Sequence, residues 1–370
     1  MSSTTAAPSP VEKKQPPPGR DERVGRHATL AAVLLRPEVG ALVAAILIFL
    51  YFSFTTKAFA LPAGASTWIF FSSSFAIMAV AVALLMIGGE FDLSAGAMTG
   101  TTGLITGIMM SHWHINVWVS VVTSLVVALC IGFLNGLLVM KTGLPSFIVT
   151  LGTFFVLRGL NLAVVKQIIH QVSVVDFQSA PGYAAGNKLF GGYITIDLTW
   201  LPWVKIPATG ILRIYAATWW ALAVIILATW VLQRTRAGNW IFAVGGAQTS
   251  ARQVGVPVFG TKVGLFMGTA FAGWMVGMLN LFKTTTAQST TGVGQEFIFI
   301  ICAVVGGCLL TGGYGSAVGA ALGALIYGMV YQGIVYHNWD SDWQYTFLGV
   351  MLLGAVLVNN FVKSRAERVR

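Results

Sequence analysis

Glu90 and Asp92 stand two residues apart in GGEFDLSAG and are the only carboxylates between two adjacent apolar runs in the first half of the chain. An ionisable group beside lipid is costly, so such a pair suggests function by default. Two roles suit it. Asp92 or Ser94 caps the following helix by giving its free N–H groups an acceptor, or the pair lines a polar route. The roles are compatible, because a break between helices within a bilayer sits only against protein or a water-filled cavity. The uncharged Asn135, Thr150, Asn161 and Asn280 interrupt other apolar runs. Such hydrogen-bonding groups suit a neutral polyol, and isolated Asn residues also bind neighbouring helices.

Other chemistries have no visible basis. Mid-span positions are nearly all neutral, so no proton or sodium relay stands out. The phosphate-binding pattern GxxxxGK[ST] does not occur, so ATP is not hydrolysed by this chain. Cys130, Cys302 and Cys308 lie in apolar runs without CxxC spacing, which indicates neither a disulfide framework nor a zinc site. His112 and His114 in SHWHIN read as an exposed turn. No metal, cofactor or catalytic residue is expected. Energy for active transport must then come from a partner, which directs attention to the inner loop over 234–262. There Gly245 and Gly246 precede a short helix-competent stretch to Arg252, closed by Gly255. A helix of this kind, lying along the membrane, either docks in a groove on a cytosolic protein or is an ordinary interfacial loop helix.

These residues must be positioned by helices in lipid. Only 9% of the 370 residues are charged, 56% are hydrophobic, and the mean hydropathy is +0.78. A soluble domain of this size cannot hide so much apolar surface. The formal net charge of +10 sits in tails and short loops, with no basic helix or aromatic platform for nucleic acid. Residues 1–36, with Pro8, Pro10 and Pro16 to Pro18, read as a disordered cytoplasmic tail without the apolar core of a cleaved signal peptide. Apolar runs near 39–56, 67–88, 94–110, 116–140, 146–165, 215–233, 262–282, 297–311, 315–336 and 344–362 predict about ten transmembrane helices in a domain over 37–362. The fold class is all-α and polytopic.

With both termini cytoplasmic, compact Lys/Arg clusters fall inside, including Lys141, Arg234, Arg236, Arg252, Lys262 and the basic tail 363–370. The segment 166–214 is then extracytoplasmic, and its GGYITIDLTWLPWV predicts a strand-containing cap. Glycines recur at helical spacing. Gly96, Gly100, Gly103 and Gly107 form one ladder, Gly315, Gly319 and Gly323 a second, and Gly264 with Gly268 a third. Such ladders let helix backbones approach closely. The two longest follow similar hairpins, GGEFDLSAGAMTG and GGYGSAVGAALG, a hint of internal duplication.

Four elements in order give the chain a family resemblance. GGEFDLSAG at 88–96 is similar to the Gly-Gly-x-Asp-Leu-Ser-x-Gly signature of the permease subunits of bacterial monosaccharide ABC importers, the ribose/xylose/galactoside type, with Glu90 where the second Gly is common. LPSFIVTLGTFFVLRGLNL at 144–162 resembles their Pro-Phe-Ile-x-Thr-Leu-Gly element, with Ser146 where Pro is common. GGAQTSARQVGV at 245–256 resembles their coupling segment, matching at Ala251, Arg252 and Gly255, while Ala247 and Thr249-Ser250 depart from it. AVVGGCLLTGGYGSAVGAALGALI at 303–326 resembles their Gly-rich hairpin.

The resemblance spans about 65–362 and implies a permease of the cell membrane carrying a monosaccharide or polyol. It implies cytosolic ATPase subunits, an extracytoplasmic sugar-binding protein, and a second permease copy or close relative. Readings left open are a permease for another polar solute such as a nucleoside or branched-chain amino acid, an ion-coupled secondary transporter, and a membrane scaffold without transport.

Overall fold

The computed structural model describes residues 37–200, 204 and 209–368. The expected tail over 1–36 lies outside the described residues, as do the last two positions of the basic tail. Each of the ten predicted runs carries a helix, and seven of these helices are long and apolar enough to cross a membrane by length and composition. They are α1 (Pro37–Thr55), α3 (Pro62–Ile87), α5 (Val117–Thr142), α6 (Ser146–Ile169), α8 (Ala216–Arg234), α11 (Val258–Thr284) and α13 (Ala317–Tyr336). A short α2 (Lys57–Ala60) joins the first two.

The other three helices differ for physical reasons. In α4 (Ser94–Ser111), Gly, Ser and Thr alternate with apolar residues and almost every side chain is buried. A helix wrapped by protein needs no continuous apolar exterior. α12 (Gln295–Val305) has 11 residues, about 16 Å of rise against a hydrocarbon core of about 30 Å. The helix predicted over 297–311 therefore ends early, because Gly306 turns the chain. α14 (Trp343–Arg368) is apolar over Trp343–Leu357 and runs on as helix past the predicted boundary at 362.

Burial ranks the helices. Of the most apolar window, 78% is buried in α3 and in α11, against 17% in α1. α3 and α11 form the centre, with α13 along α3 and α5 along α11. Small residues permit these contacts. A methyl group on Gly323 would strike the Cys302 backbone, and one on Gly319 the backbone of Gly306. Gly96, Gly100 and Gly107 sit against the segment 287–296, and a methyl on Gly103 would lie 3.8 Å from the Gly277 carbonyl. Gly315 packs on Cys308 and Ile87. The third predicted ladder behaves differently: Gly264 and Gly268 are exposed with nothing within 4 Å, so they pack no helix among the described residues.

The predicted cap contains strands, but not within 166–214 alone. α6 continues as helix to Ile169. β1 (Ser173–Val174) pairs antiparallel with β4 (Ala287–Gln288), which follows α11. β2 (Tyr193–Asp197) and β3 (Ile211–Tyr215) form a hairpin with Tyr193 opposite Tyr215. Between the two, α7 (Tyr183–Phe190) stacks Phe190 on Phe282 of α11 at 5.7 Å.

The internal similarity has a structural counterpart, shifted from the register the sequence suggests. Gly88 and Gly306 end α3 and α12 with nearly the same backbone angles, φ −70°, ψ −1° and φ −71°, ψ −1°. Gly89 and Gly307 follow in the left-handed region at φ 82° and 95°. The amides of Gly88, Gly89 and Glu90 bond back to Leu84, Met86 and Leu85, and those of Gly306, Gly307 and Cys308 to Cys302, Val304 and Ala303. The reverse turns are therefore equivalent at Gly88-Gly89 and Gly306-Gly307, whereas the repeated letters align Gly88-Gly89 with Gly312-Gly313.

Candidate functional site

The break between α3 and α4 is held by polar groups from three helices. Asp92 is 2% exposed and precedes the first turn of α4. Its Oδ1 accepts from the Ser94 backbone N–H at 2.9 Å and the Ser94 hydroxyl at 2.6 Å, and its Oδ2 accepts from the Thr269 hydroxyl of α11 at 2.8 Å. A carboxylate at a helix N-terminus also meets the positive end of the helix dipole. The Ser94 hydroxyl in turn accepts from the Asn135 amide of α5 at 3.0 Å, and the Asn135 carbonyl oxygen accepts from Thr153 of α6 at 2.6 Å. Two hairpin amides are bound by α6: Phe91 N–H donates to the Ser146 hydroxyl at 3.1 Å and Leu93 N–H to the Thr150 hydroxyl at 3.1 Å. Asp92, Ser94, Asn135 and Thr150 thus form one buried cluster.

Glu90 is bound separately, by a cation that the sequence reading left in an inner loop. Lys262 lies inside α11, 5% exposed, and its ammonium donates to Glu90 Oε1 and, at 2.7 Å, to Gln248 Oε1. Gln248 opens α10 (Gln248–Gln253). Sequence reasoning missed Lys262, Gln248, Thr269 and Thr153. A faint signal existed for the first, a lone Lys near the start of a long apolar helix in a chain with few acids. Buried acids are also more numerous than the neutral spans suggested. Glu296, 4% exposed, accepts from Gly294 N–H at 3.0 Å at the start of α12.

Asn161 stands apart from the cluster. It is buried on α6, its side-chain nitrogen has no partner among the described residues, and it faces Gly100.

The segment expected to couple to a partner is a pair of helices. In α9 (Arg236–Gly246), the Thr235 hydroxyl accepts from Gly238 N–H at 3.2 Å as N-cap. The short α10 buries Ala251 against Val244 and Val258 and leaves Arg252 exposed. Gly255 closes α10 at φ 85°, a conformation that costs other residues strain, with its N–H on the Arg252 carbonyl at 3.1 Å. Gly245 makes the closest approach. A side chain there would collide with the Ile87 carbonyl and reach Gly313 N at 2.8 Å, whereas a methyl on Gly246 would point into open space. Gly313 N–H itself donates to the Ile87 carbonyl at 2.8 Å. The end of α9 therefore rests on both glycine hairpins at once.

Helices of membrane-spanning length around polar helix breaks, with a pair of short helices seated on those breaks, make up a multi-pass membrane protein. The family model described as branched-chain amino acid transport system / permease component matches residues 64–356, and the chain belongs to that family. Its relatives include the probable ABC transporter permease protein y4mJ of Sinorhizobium fredii, 31% identical over 79% of this chain and 80% of that one. The ribose import permease protein RbsC of Escherichia coli strain K12 is 30% identical over 77% and 82%. The fructose import permease protein FruG of Bifidobacterium longum is 27% identical over 77% and 79%. No solved structure matches the chain. The resemblance carried by the four motifs holds, and the protein is a transport subunit rather than an enzyme.

Proposed function

We propose that this chain forms the translocation path of an ATP-driven importer of monosaccharides, with hydrolysis in cytosolic ATPase subunits that dock on α9 and α10. The relatives named for ribose, fructose and arabinose support the substrate class. A second permease copy completes the membrane part, an extracytoplasmic binding protein delivers the sugar to the 166–214 face, and both termini are cytoplasmic.

The observation that carries the coupling role is the seat of Gly245 on Ile87 and Gly313. Any displacement of α9 by a docked ATPase must move the backbones of both hairpins, because packed interiors transmit strain. The Gln248 to Lys262 to Glu90 chain gives α10 a second grip on the hairpin that contains Asp92. Arg252 is exposed beside this contact and supplies a charge for an acidic partner surface.

The test is Arg252→Glu, assayed by co-purification of the permease with its ATPase and by sugar uptake. Like-charge juxtaposition across an interface costs several kcal/mol, so both association and uptake should fall while the permease still reaches the membrane. Full association and full uptake would remove α10 from the docking surface.

A further inference from the structure

Two cavities lie inside the bundle, away from the hairpin cluster. The first, about 290 Å³, opens beside the β1–β4 ribbon and is walled by hydroxyl and amide side chains, including Thr284, Gln288 and Thr291. The second, about 250 Å³, lies between α3, α11, α12, α13 and α14. Asn280 of α11 lines both and stands between them.

We propose that the second cavity is a binding subsite for a single sugar ring within one permease bundle. This rests on the importer reading above and adds a location for the solute. A sugar ring has apolar C–H faces and an edge of hydroxyls, each both donor and acceptor. The cavity offers the matching surfaces. Phe75, Tyr327 and Tyr331 present aromatic rings, Phe75 and Tyr327 edge to face at 4.8 Å. Asn280 and Gln295 present amides, which donate and accept. Ser74 supplies the independent sign of a ligand. It is 6% exposed, it lines this cavity, and its hydroxyl has no hydrogen-bond partner among the described residues. A buried polar group without a partner is costly, and rotation of the Ser74 hydroxyl toward a sugar hydroxyl in the cavity relieves that cost.

The walls also select against other solutes. No charged side chain lines either cavity among the described residues. An amino acid would bring an ammonium and a carboxylate against walls that carry no counter-charge, Lys283 and Glu296 lying behind Phe71 and Gly294, which is expensive at membrane depth. An uncharged polyhydroxylated ring carries no such cost.

The experiment uses the full permease assembled with its ATPase and binding protein in vesicles, with radiolabelled ribose, arabinose and fructose as probes. Uptake of at least one of them by the unaltered protein tests the importer reading; uptake of none overturns that reading and this inference with it. With the transported sugar known, Ser74→Leu and Asn280→Leu fill or depolarise the cavity and should raise the uptake KM by roughly tenfold or more, since a site built to hydrogen-bond a hydroxyl penalises loss of that bond heavily.

Co-purification with the ATPase separates this effect from misfolding. If a leucine variant does not assemble, Ser74→Cys in a Cys130→Ser background replaces it. A small methanethiosulfonate reagent should modify the thiol introduced by that substitution in proteoliposomes, and millimolar transported sugar should slow the modification. Wild-type KM in both leucine variants, modification unaffected by sugar, or no modification at all would each overturn the subsite while leaving the importer reading intact.

Discussion

The Lys262 ammonium reaches the Glu90 carboxylate across 172 positions of sequence, and both side chains are buried, 6% and 12% exposed. The pair joins the hairpin between α3 and α4 to the N-terminal end of α11, where Gln248 of α10 takes a second bond from the same ammonium. It thereby ties the most informative acidic motif to the segment proposed to receive the ATPase.

Removing one partner should be far worse than removing both. A buried charge left without its counter-ion costs about 3–5 kcal/mol, whereas replacing the whole pair by apolar or neutral groups is often near neutral. Lys262→Met and Glu90→Gln should each lower the melting temperature of the purified permease, and the double variant should recover much of the loss. Additive losses in the double variant would mean the two residues act independently. If the pair also transmits coupling, the recovered double variant will be stable and yet take up sugar slowly.

The seat of α9 makes a sharp distinction between adjacent glycines. Gly245→Ala should destabilise by about 1–3 kcal/mol, the usual cost of overpacking, because the new methyl meets the Ile87 carbonyl and Gly313. Gly246→Ala has open space and should be tolerated. Thermal unfolding together with uptake reads both. Equal behaviour of the two variants would contradict the packing described.

Asp92→Ala removes the acceptor for Ser94 and Thr269 together. Losing hydrogen bonds to a buried carboxylate costs about 1.5–3 kcal/mol, and uptake should fall with it. Asp92→Asn retains an acceptor oxygen and should sit between wild type and alanine. A well-expressed Asp92→Ala protein with normal uptake would leave the buried carboxylate without a role.

Orientation can be read by labelling intact cells. In a Cys130→Ser background, Lys188→Cys on exposed α7 should react with an impermeant thiol reagent, and Thr249→Cys on exposed α10 should react only after permeabilisation. Cys302 and Cys308 are buried, so they contribute little background. The reverse pattern would invert the proposed topology.

Much of this protein was legible as sequence. Lipid imposes internal hydrogen bonding on every spanning segment, so long apolar runs become helices, and the centres of α1, α3, α5, α6, α8, α11 and α13 lie where hydropathy put them. Gly89 and Gly255 act locally, through positive φ angles that few other residues tolerate, so they too could be read from residue type. The four motifs carried the family by themselves.

What the tertiary structure alone decided is which distant residues meet. Lys262 looked like a loop charge because hydropathy records a residue's own polarity and not its partner's, and Glu90 lies 172 residues away. The Gly264 and Gly268 spacing matched the true packing ladders, yet only the placement of neighbouring helices leaves them exposed. α12 ended at Val305 because Gly306 and Gly307 turn there, with Gly306 against Gly319, a contact that no local pattern contains. The cavity between α3, α11, α12, α13 and α14 belongs to the same class. Its walls come from five helices spread from residue 71 to residue 348, and sequence periodicity identifies the buried face of each helix without saying which faces share a cavity.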